Sequence, residues 1–171
     1  MQKTAATLIT VVGALLAHVA EARADQLVIK HPGRHPDYSV EVEPHFFFGF
    51  DPPGAKASKG YGPGLRATIE LVDNGFIKTI NNTVGLGFGF DWIAFQSEHQ
   101  AVWVPVVMQW NFWLSRSWSV FGEPGGGFWL GNAKGIRPAF YGGGRFHFSD
   151  KIALTARVGF PALSLGASFV F

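Results

Sequence analysis

The sequence contains no cysteine and few charged residues for its length. Of its 171 residues, 15% are charged and none is Cys. A small secreted domain without Cys lacks the disulfides that usually stabilise such domains. The Lys and Arg residues form no cluster, which argues against nucleic acid as a partner. If the chain is secreted, its stability therefore has to come from another source.

Aromatic residues and glycine are abundant. The chain has 17 Phe, 6 Trp and 22 Gly, and aromatic residues make up 15% of it. Aromatic side chains fit the pleated surface of a sheet, and glycine serves at bends and close approaches. Because no long helical period accompanies this composition, we predict an all-β protein.

Residues 1–24 have the pattern of a cleavable signal peptide. A short basic start is followed by a mostly apolar run at 4–20, and Ala22-Arg23-Ala24 matches the cleavage pattern. The alternative, an N-terminal membrane anchor, is disfavoured because the apolar run is short for a span. Cleavage after Ala24 removes Lys3, Arg23 and Glu21 and leaves a net charge of +1. Residues 25–38 contain two prolines and a glycine and are predicted to be an irregular lead-in.

Residues 39–171 show apolar and polar residues in alternation. The pattern predicts eight strands of roughly ten residues. The predicted strands are residues 39–50, 64–72, 83–95, 102–113, a less regular stretch from about 116, 137–148, 151–160 and 164–171. The last of them, SLGASFVF, alternates as far as Phe171. Residues 51–60, 96–101 and 129–136 are the predicted exposed loops.

Alternation permits two barrels that differ in which face points inward. A soluble, lipocalin-like carrier has its apolar face inside, whereas a membrane barrel has it outside. The polar face here is rich in Gly and Ser and carries too few charges to coat a water-facing wall. The six tryptophans cluster toward strand ends, which is typical of interfacial girdles; they are Trp92, Trp103, Trp110, Trp113, Trp118 and Trp129. We therefore predict an eight-stranded antiparallel up-and-down transmembrane β-barrel, whose closure stabilises it without disulfides.

Charged residues on the polar face predict a network inside the barrel. Buried charges persist only when they are paired and hydrogen-bonded, and arginine is suited to bidentate pairing. The predicted members are Glu41, Glu43, Arg66, Glu70, Asp91, Glu123, Arg137, Arg145 and Arg157. An eight-stranded lumen is usually filled by side chains. We expect a packed interior, with a narrow or gated path as the alternative.

These features together resemble the small eight-stranded outer-membrane β-barrel proteins of Gram-negative bacteria, of the OmpA-transmembrane and OmpX type. The resemblance rests on the signal peptide, the eight alternating strands over 39–171 and the ending with Phe169 and Phe171. It implies a monomer in the cell outer membrane, with lipid and the barrel-assembly machinery as partners and no cofactor. It also implies that Phe169 and Phe171 form an assembly signal.

One motif raises the possibility of catalysis. His147-Phe148-Ser149 is similar to the His-x-Ser motif of lipid A-modifying barrels. However, Ser149 sits at a tight turn beside Asp150, and no Glu follows His147 in the chain. We therefore expect no catalytic residue and a structural or loop-mediated binding role, with a lipid A-modifying hydrolase as the enzyme alternative.

Neither metal binding nor phosphate binding is indicated. His31, His35, His45 and His99 form no tight cluster of metal ligands in the sequence. The glycines of the 85–89 stretch alternate within a strand and are not followed by the Lys of a phosphate loop.

Overall fold

The structure is a closed β-barrel. The computed structural model describes residues 26–50, 59–95, 100–131 and 134–171, so the predicted signal peptide lies outside the described residues. The strands are β1 (Val40–Phe50), β2 (Lys59–Val72), β3 (Asn82–Phe95), β4 (Gln100–Trp113), β5 (Trp118–Gly131), β6 (Gly135–Ser149), β7 (Ile152–Phe160) and β8 (Ala162–Val170). Neighbouring strands are antiparallel, and β8 pairs with β1 to close the ring. The prediction of eight antiparallel strands is confirmed.

Several strands extend further than the sequence predicted. β2 begins at Lys59, because Gly60 and Tyr61 pair with the last residues of β3. β5 runs to Gly131, β6 begins at Gly135, and β4 begins at Gln100. These strand ends carry no clear alternating apolar pattern, so the period-two signal does not extend the predicted strands to them. What remains of the predicted loops at 51–58, 96–99 and 132–133 lies outside the described residues.

The apolar face of the sheet points outward. Phe46 is 42% exposed and Phe90 is 50% exposed, whereas Glu43 and Arg66 of the opposite face are 1% and 2% exposed. This is the arrangement of a membrane barrel, in which hydrocarbon covers the apolar wall. The soluble carrier with its apolar face inside is therefore wrong.

The predicted tryptophan girdle is only partly correct. Trp92 and Trp118 lie on the outer wall, but Trp103, Trp113 and Trp129 are buried inside the barrel. Their positions have the parity of the polar face, and parity decides the side of the wall on which a residue lies. Half of the tryptophans thus fill the lumen instead of contacting the membrane interface.

The barrel has two different ends. The lead-in rim carries segment 26–39 and the connections 73–81, 114–117 and 150–151. The far rim is the opposite end, where β1 ends, β2 begins, and Pro161 joins β7 to β8. No helix within the described ranges is long and apolar enough to cross a membrane.

Inward-facing glycines make room for the side chains that cross the lumen or for the neighbouring strand. A Cβ atom at Gly159 would collide with the carbonyl oxygen of Phe140. A Cβ atom at Gly122, which faces outward, would meet nothing within 4 Å. The same residue type is therefore sterically required at one position and not at the other.

We predict that Gly159→Ala destabilises the barrel, because overpacking a tight site typically costs about 1–3 kcal/mol. The matched change Gly122→Ala should leave stability almost unchanged. Urea unfolding of both variants in phospholipid vesicles measures the difference. Equal unfolding midpoints for the two variants would contradict the steric argument.

Candidate functional site

Arg157 lies at the centre of the lumen and binds two carboxylates from opposite parts of the wall. Its Nη1 and Nη2 donate to Glu43 Oε1 and Oε2 at 2.7 and 2.9 Å. Its Nε and Nη2 donate to Glu123 Oε2 and Oε1 at 2.8 and 3.1 Å. Nη1 also donates to the Ser164 hydroxyl at 3.2 Å. Both carboxylates are bound in bidentate fashion, which is the strongest pairing that arginine forms.

Glu123 extends this network to β2 and β4. Its carboxylate accepts from Arg66 Nη1 at 2.9 Å and from Gln109 Nε2 at 3.0 Å. Arg66 Nη2 lies 4.0 Å from Asp91 Oδ2. The fully buried Glu123 carboxylate thus contacts three cationic or amide groups, as a buried charge requires.

His45 connects the carboxylates of Asp91 and Glu43 on the far-rim side of the network. Its Nε2 lies 2.6 Å from Asp91 Oδ1, and its Nδ1 lies 3.7 Å from Glu43 Oε1. The imidazole is buried between the two acids. The parity of His45 matches that of Glu41 and Glu43, so the sequence pattern places it on the same polar face, and the structure has it there.

A second cluster lies closer to the lead-in rim. Arg145 Nη1 donates to Asn111 Oδ1 at 3.1 Å, and Arg145 Nη2 lies 2.9 Å from Glu41 Oε1. Glu41 also accepts from the Ser168 hydroxyl at 2.8 Å, which in turn lies 2.6 Å from the Thr155 hydroxyl. Glu41 is therefore contacted by groups from two strands, Arg145 of β6 and Ser168 of β8.

Phe121 packs between the two clusters. The guanidinium carbons of Arg145 and Arg157 lie 4.3 and 5.1 Å from the centroid of its ring. Cations over an aromatic face are stabilised electrostatically, more so when they are desolvated. One inward aromatic ring thus supports both arginines.

The structure brings seven of the nine predicted network residues together and leaves two outside. Arg137 has the inward parity but is exposed, because it lies on the far-rim side of Ala139 and Tyr141, beyond the packed interior. Glu70 is half-buried near the lead-in rim and forms no ion pair within the described ranges. Parity predicts which face a residue occupies, but it does not predict its height in the barrel.

Large side chains close the lumen on the far-rim side. Trp103 and Trp129 pack with ring centroids 5.0 Å apart, and Trp103 Nε1 donates to the Tyr141 hydroxyl at 2.9 Å. We call the buried cluster around them the aromatic plug; it comprises Phe47, Ile93, Phe95, Ala101, Trp103, Val107, Trp129, Ala139, Tyr141 and Ala162. The polar face of the sequence, rich in Gly and Ser, predicts a mostly small and polar interior, and the aromatic plug differs from that prediction.

The lead-in lies across the opposite mouth. The backbone N–H of Val28 donates to Leu114 O at 2.9 Å, and the N–H of Asn81 donates to Ile29 O at 2.7 Å. Val28 is 2% exposed. The lead-in therefore bridges the β2–β3 and β4–β5 connections.

Two ring side chains continue this contact along the lead-in. The ring of His35 stacks on inward-facing Trp113 at 5.6 Å, and the Tyr38 hydroxyl lies 3.2 Å from Thr83 Oγ1. Burial raises the pKa of the Tyr38 hydroxyl, which is neutral at ordinary pH with or without this shift.

The His-x-Ser motif does not form a pair on the outer wall. His147 points inward, where its Nε2 is hydrogen-bonded to the Ser119 hydroxyl at 3.0 Å and its ring packs 4.7 Å from that of Trp113. Ser149 is exposed at the end of β6 and accepts from the backbone N–H of Lys151 at 3.3 Å. Among the described residues, no group of three or more His, Asp or Glu side chains could hold a metal ion; His99 lies outside them.

Phe169 and Phe171 lie at the lead-in rim, where β8 meets β1. The N–H of Phe171 donates to Val40 O at 2.9 Å, and the N–H of Ser39 donates to Phe171 O at 2.8 Å. Both phenyl rings are exposed. Their role as an assembly signal stays a prediction.

We predict that Arg157→Gln destabilises the barrel by about 3–5 kcal/mol, because Glu43 and Glu123 lose their shared cation while remaining buried. Adding Glu43→Gln should recover part of the loss, since one uncompensated charge is then removed. Arg137→Gln is the matched control. Urea unfolding in vesicles measures all three, and a control as unstable as Arg157→Gln would contradict the assignment.

A second prediction concerns the lead-in. Val28→Asp should detach it from the mouth, because burying an unpaired carboxylate is unfavourable. Trypsin should then cleave after Lys30 and Arg34 several times faster, with the barrel itself intact. Leu27→Asp is the matched control, because Leu27 is 69% exposed. Equal cleavage rates in the two variants would show that Val28 does not hold the segment.

Solved structures with a similar architecture include transmembrane barrels. The crystal structure of Ail, the attachment invasion locus protein of Yersinia pestis, matches with a TM-score of 0.52 and 15% identity over 79% of this chain and 99% of that chain. A de novo designed transmembrane β-barrel matches with a TM-score of 0.50 and 14% identity over 84% of this chain and 99% of that chain. No protein-family model and no curated protein matches the chain. The chain has the fold of a small transmembrane β-barrel.

Proposed function

We propose that this protein is an integral outer-membrane barrel with a closed lumen, which anchors the connections at its far rim and acts through them. The observation that carries the proposal is the filling of the lumen at three levels. The aromatic plug, the Arg157 network and the lead-in follow one another from the far rim to the lead-in rim. A barrel of this kind serves as a scaffold and not as a pore.

The outer membrane is the location that the sequence and fold jointly support. The apolar outer wall needs a hydrocarbon environment, and closed barrels of this size are typical of outer membranes. The signal-peptide pattern at 1–24 supports export. The resemblance to small outer-membrane barrels agrees with both.

We assign the lead-in rim to the periplasm and the far rim to the cell exterior. An even number of strands places the segment before β1 and the end of β8 at one rim, and an exported chain inserts from the periplasmic side. The connections between β1 and β2, between β3 and β4, and between β5 and β6 then face outward. They are the candidates for contacting an external partner.

The proposal includes no catalytic step. The inward orientation of His147 and its hydrogen bond to Ser119 support this, since lipid A would approach from the outer wall. Among the described residues, no specific contact favours the lipid A-modifying alternative.

A third prediction concerns conductance. The purified barrel in a planar lipid bilayer should show no stable conductance steps, because Trp103, Trp129 and the charged network fill the lumen. An open porin under the same conditions is the positive control. Steady, reproducible channels from the wild-type barrel would contradict the closed-lumen proposal.

A fourth prediction concerns the orientation. An epitope inserted after Gly54 should be accessible to antibody on intact cells, whereas the same epitope inserted after Asp150 should require permeabilised cells. Heat-modifiable gel mobility confirms that both variants are folded. The reverse pattern of accessibility would invert the assigned orientation.

A further inference from the structure

A basic pocket lies at the lead-in rim. It has a volume of about 260 Å³ and is lined by Arg34, His35, Pro36, Arg116 and Asp150. Within the described part of the chain, neither guanidinium forms a side-chain hydrogen bond or ion pair. Two unpaired arginines facing one pocket, against a single carboxylate, give it a net positive charge that favours an anion.

The pocket has a fixed wall. His35 is held by stacking on Trp113, with ring centroids 5.6 Å apart, and its Nε2 lies 3.2 Å from the carbonyl oxygen of Asp73. Arg34 and Pro36 flank this residue in the chain. A ligand would therefore meet an ordered surface, which reduces the entropy lost on binding.

An aromatic cluster lies on the outer wall beside the pocket. The ring centroids of Trp118 and Phe146 are 5.0 Å apart, and those of Phe146 and Phe148 are 5.1 Å apart. Trp118 follows Arg116 by two residues, and Phe148 precedes Asp150 by two. Trp118 and Phe148 are 51% and 64% exposed. Exposed aromatic rings next to basic groups are typical of the membrane interface.

Above this cluster, three outward positions on β5 and β6 carry no side chain, because they are Gly122, Gly142 and Gly144. Gly122 pairs with Gly142, and Val120 pairs with Gly144. Added Cβ atoms at Gly122, Gly142 and Gly144 would meet nothing closer than 3.7 Å. Unlike the inward glycines, these three are not required by packing. They leave a shallow apolar groove in the wall.

The groove lies at the depth of one lipid leaflet. Trp118 and Gly122 are four residues apart on β5, which corresponds to about 13 Å along the strand. With the strand tilt of a small barrel this is a height of about 10 Å. One leaflet contributes about 15 Å of hydrocarbon. An acyl chain beside Trp118 would therefore run along the glycines.

We propose that this surface binds one anionic phospholipid, with its phosphate in the Arg34–Arg116 pocket and an acyl chain in the Gly122–Gly142–Gly144 groove. The pocket supplies charge complementarity, and the groove supplies close apolar contact that bulky side chains would block. Under the assigned orientation the lipid belongs to the inner leaflet of the outer membrane. Only that choice of leaflet rests on the proposed function, and the epitope experiment tests it separately.

Native mass spectrometry of the detergent-extracted barrel tests the lipid. We expect half of the barrel to bind dioleoylphosphatidylglycerol at a lipid concentration at least five-fold lower than the one needed for dioleoylphosphatidylcholine. Arg34→Gln with Arg116→Gln should abolish this preference. Lys78→Gln with Arg137→Gln, which makes the same change in charge away from the pocket, should retain it. Equal binding of both lipids by the wild-type barrel would overturn the proposal.

A second variant tests the groove and distinguishes the phosphate of a lipid from free phosphate. Gly122→Leu adds a side chain in the groove, where an added Cβ atom meets nothing within 4 Å, and should weaken phosphatidylglycerol binding several-fold, while binding of inorganic phosphate stays unchanged. Heat-modifiable gel mobility verifies folding of each variant. If the double arginine variant loses inorganic phosphate but Gly122→Leu binds the lipid like wild type, the pocket is a site for free anions and the lipid proposal is wrong.

Discussion

The pairing of Arg157 with Glu43 and Glu123 is the interaction on which the interior of this barrel depends. The three residues come from β7, β1 and β5, so their bonds cross the lumen. Charges removed from water are costly unless every donor and acceptor is satisfied. Arg157 meets this condition because its five N–H groups contact two carboxylates and the Ser164 hydroxyl. Side chains that cross the lumen require small residues beside them, as at Gly64, where an added Cβ atom would collide with Asp91 and His45; other inward glycines, such as Gly159, are required by the neighbouring strand.

A chain without cysteine thus obtains its rigidity in two ways. Closure between β1 and β8 pairs the backbone around the whole ring, and the network ties distant strands together inside it. Neither depends on a large apolar core, because the apolar side chains cover the outer wall. The aromatic plug is the exception, and it lies where the polar network ends.

The period-two pattern of the sequence was sufficient to predict the number of strands and the face on which Glu43, Arg66 and Arg157 lie. Trp103 and Trp129 were predicted to be part of an interfacial girdle, which is wrong for both: their parity is that of Gln109 and Glu123, and they lie on the inner face. The alternation does not encode how far along the barrel axis a residue lies. For this reason Arg137 was predicted inside but is exposed. The position of the lead-in across the mouth could not be predicted from the alternation either. The contact between Val28 and Leu114 joins residues that are distant in sequence and have no periodic signal.

The bonds that cross the lumen have a consequence for biogenesis. Glu43 is on β1 and Arg157 on β7, which are neighbours only across the β8–β1 seam, so a sheet of four or five consecutive strands with that seam open cannot contain their pairing. A partial sheet lying in lipid would expose lone carboxylates to hydrocarbon. The inward face must therefore remain hydrated until the last strands arrive, and dehydration of the lumen and sealing of the ring become a single late event.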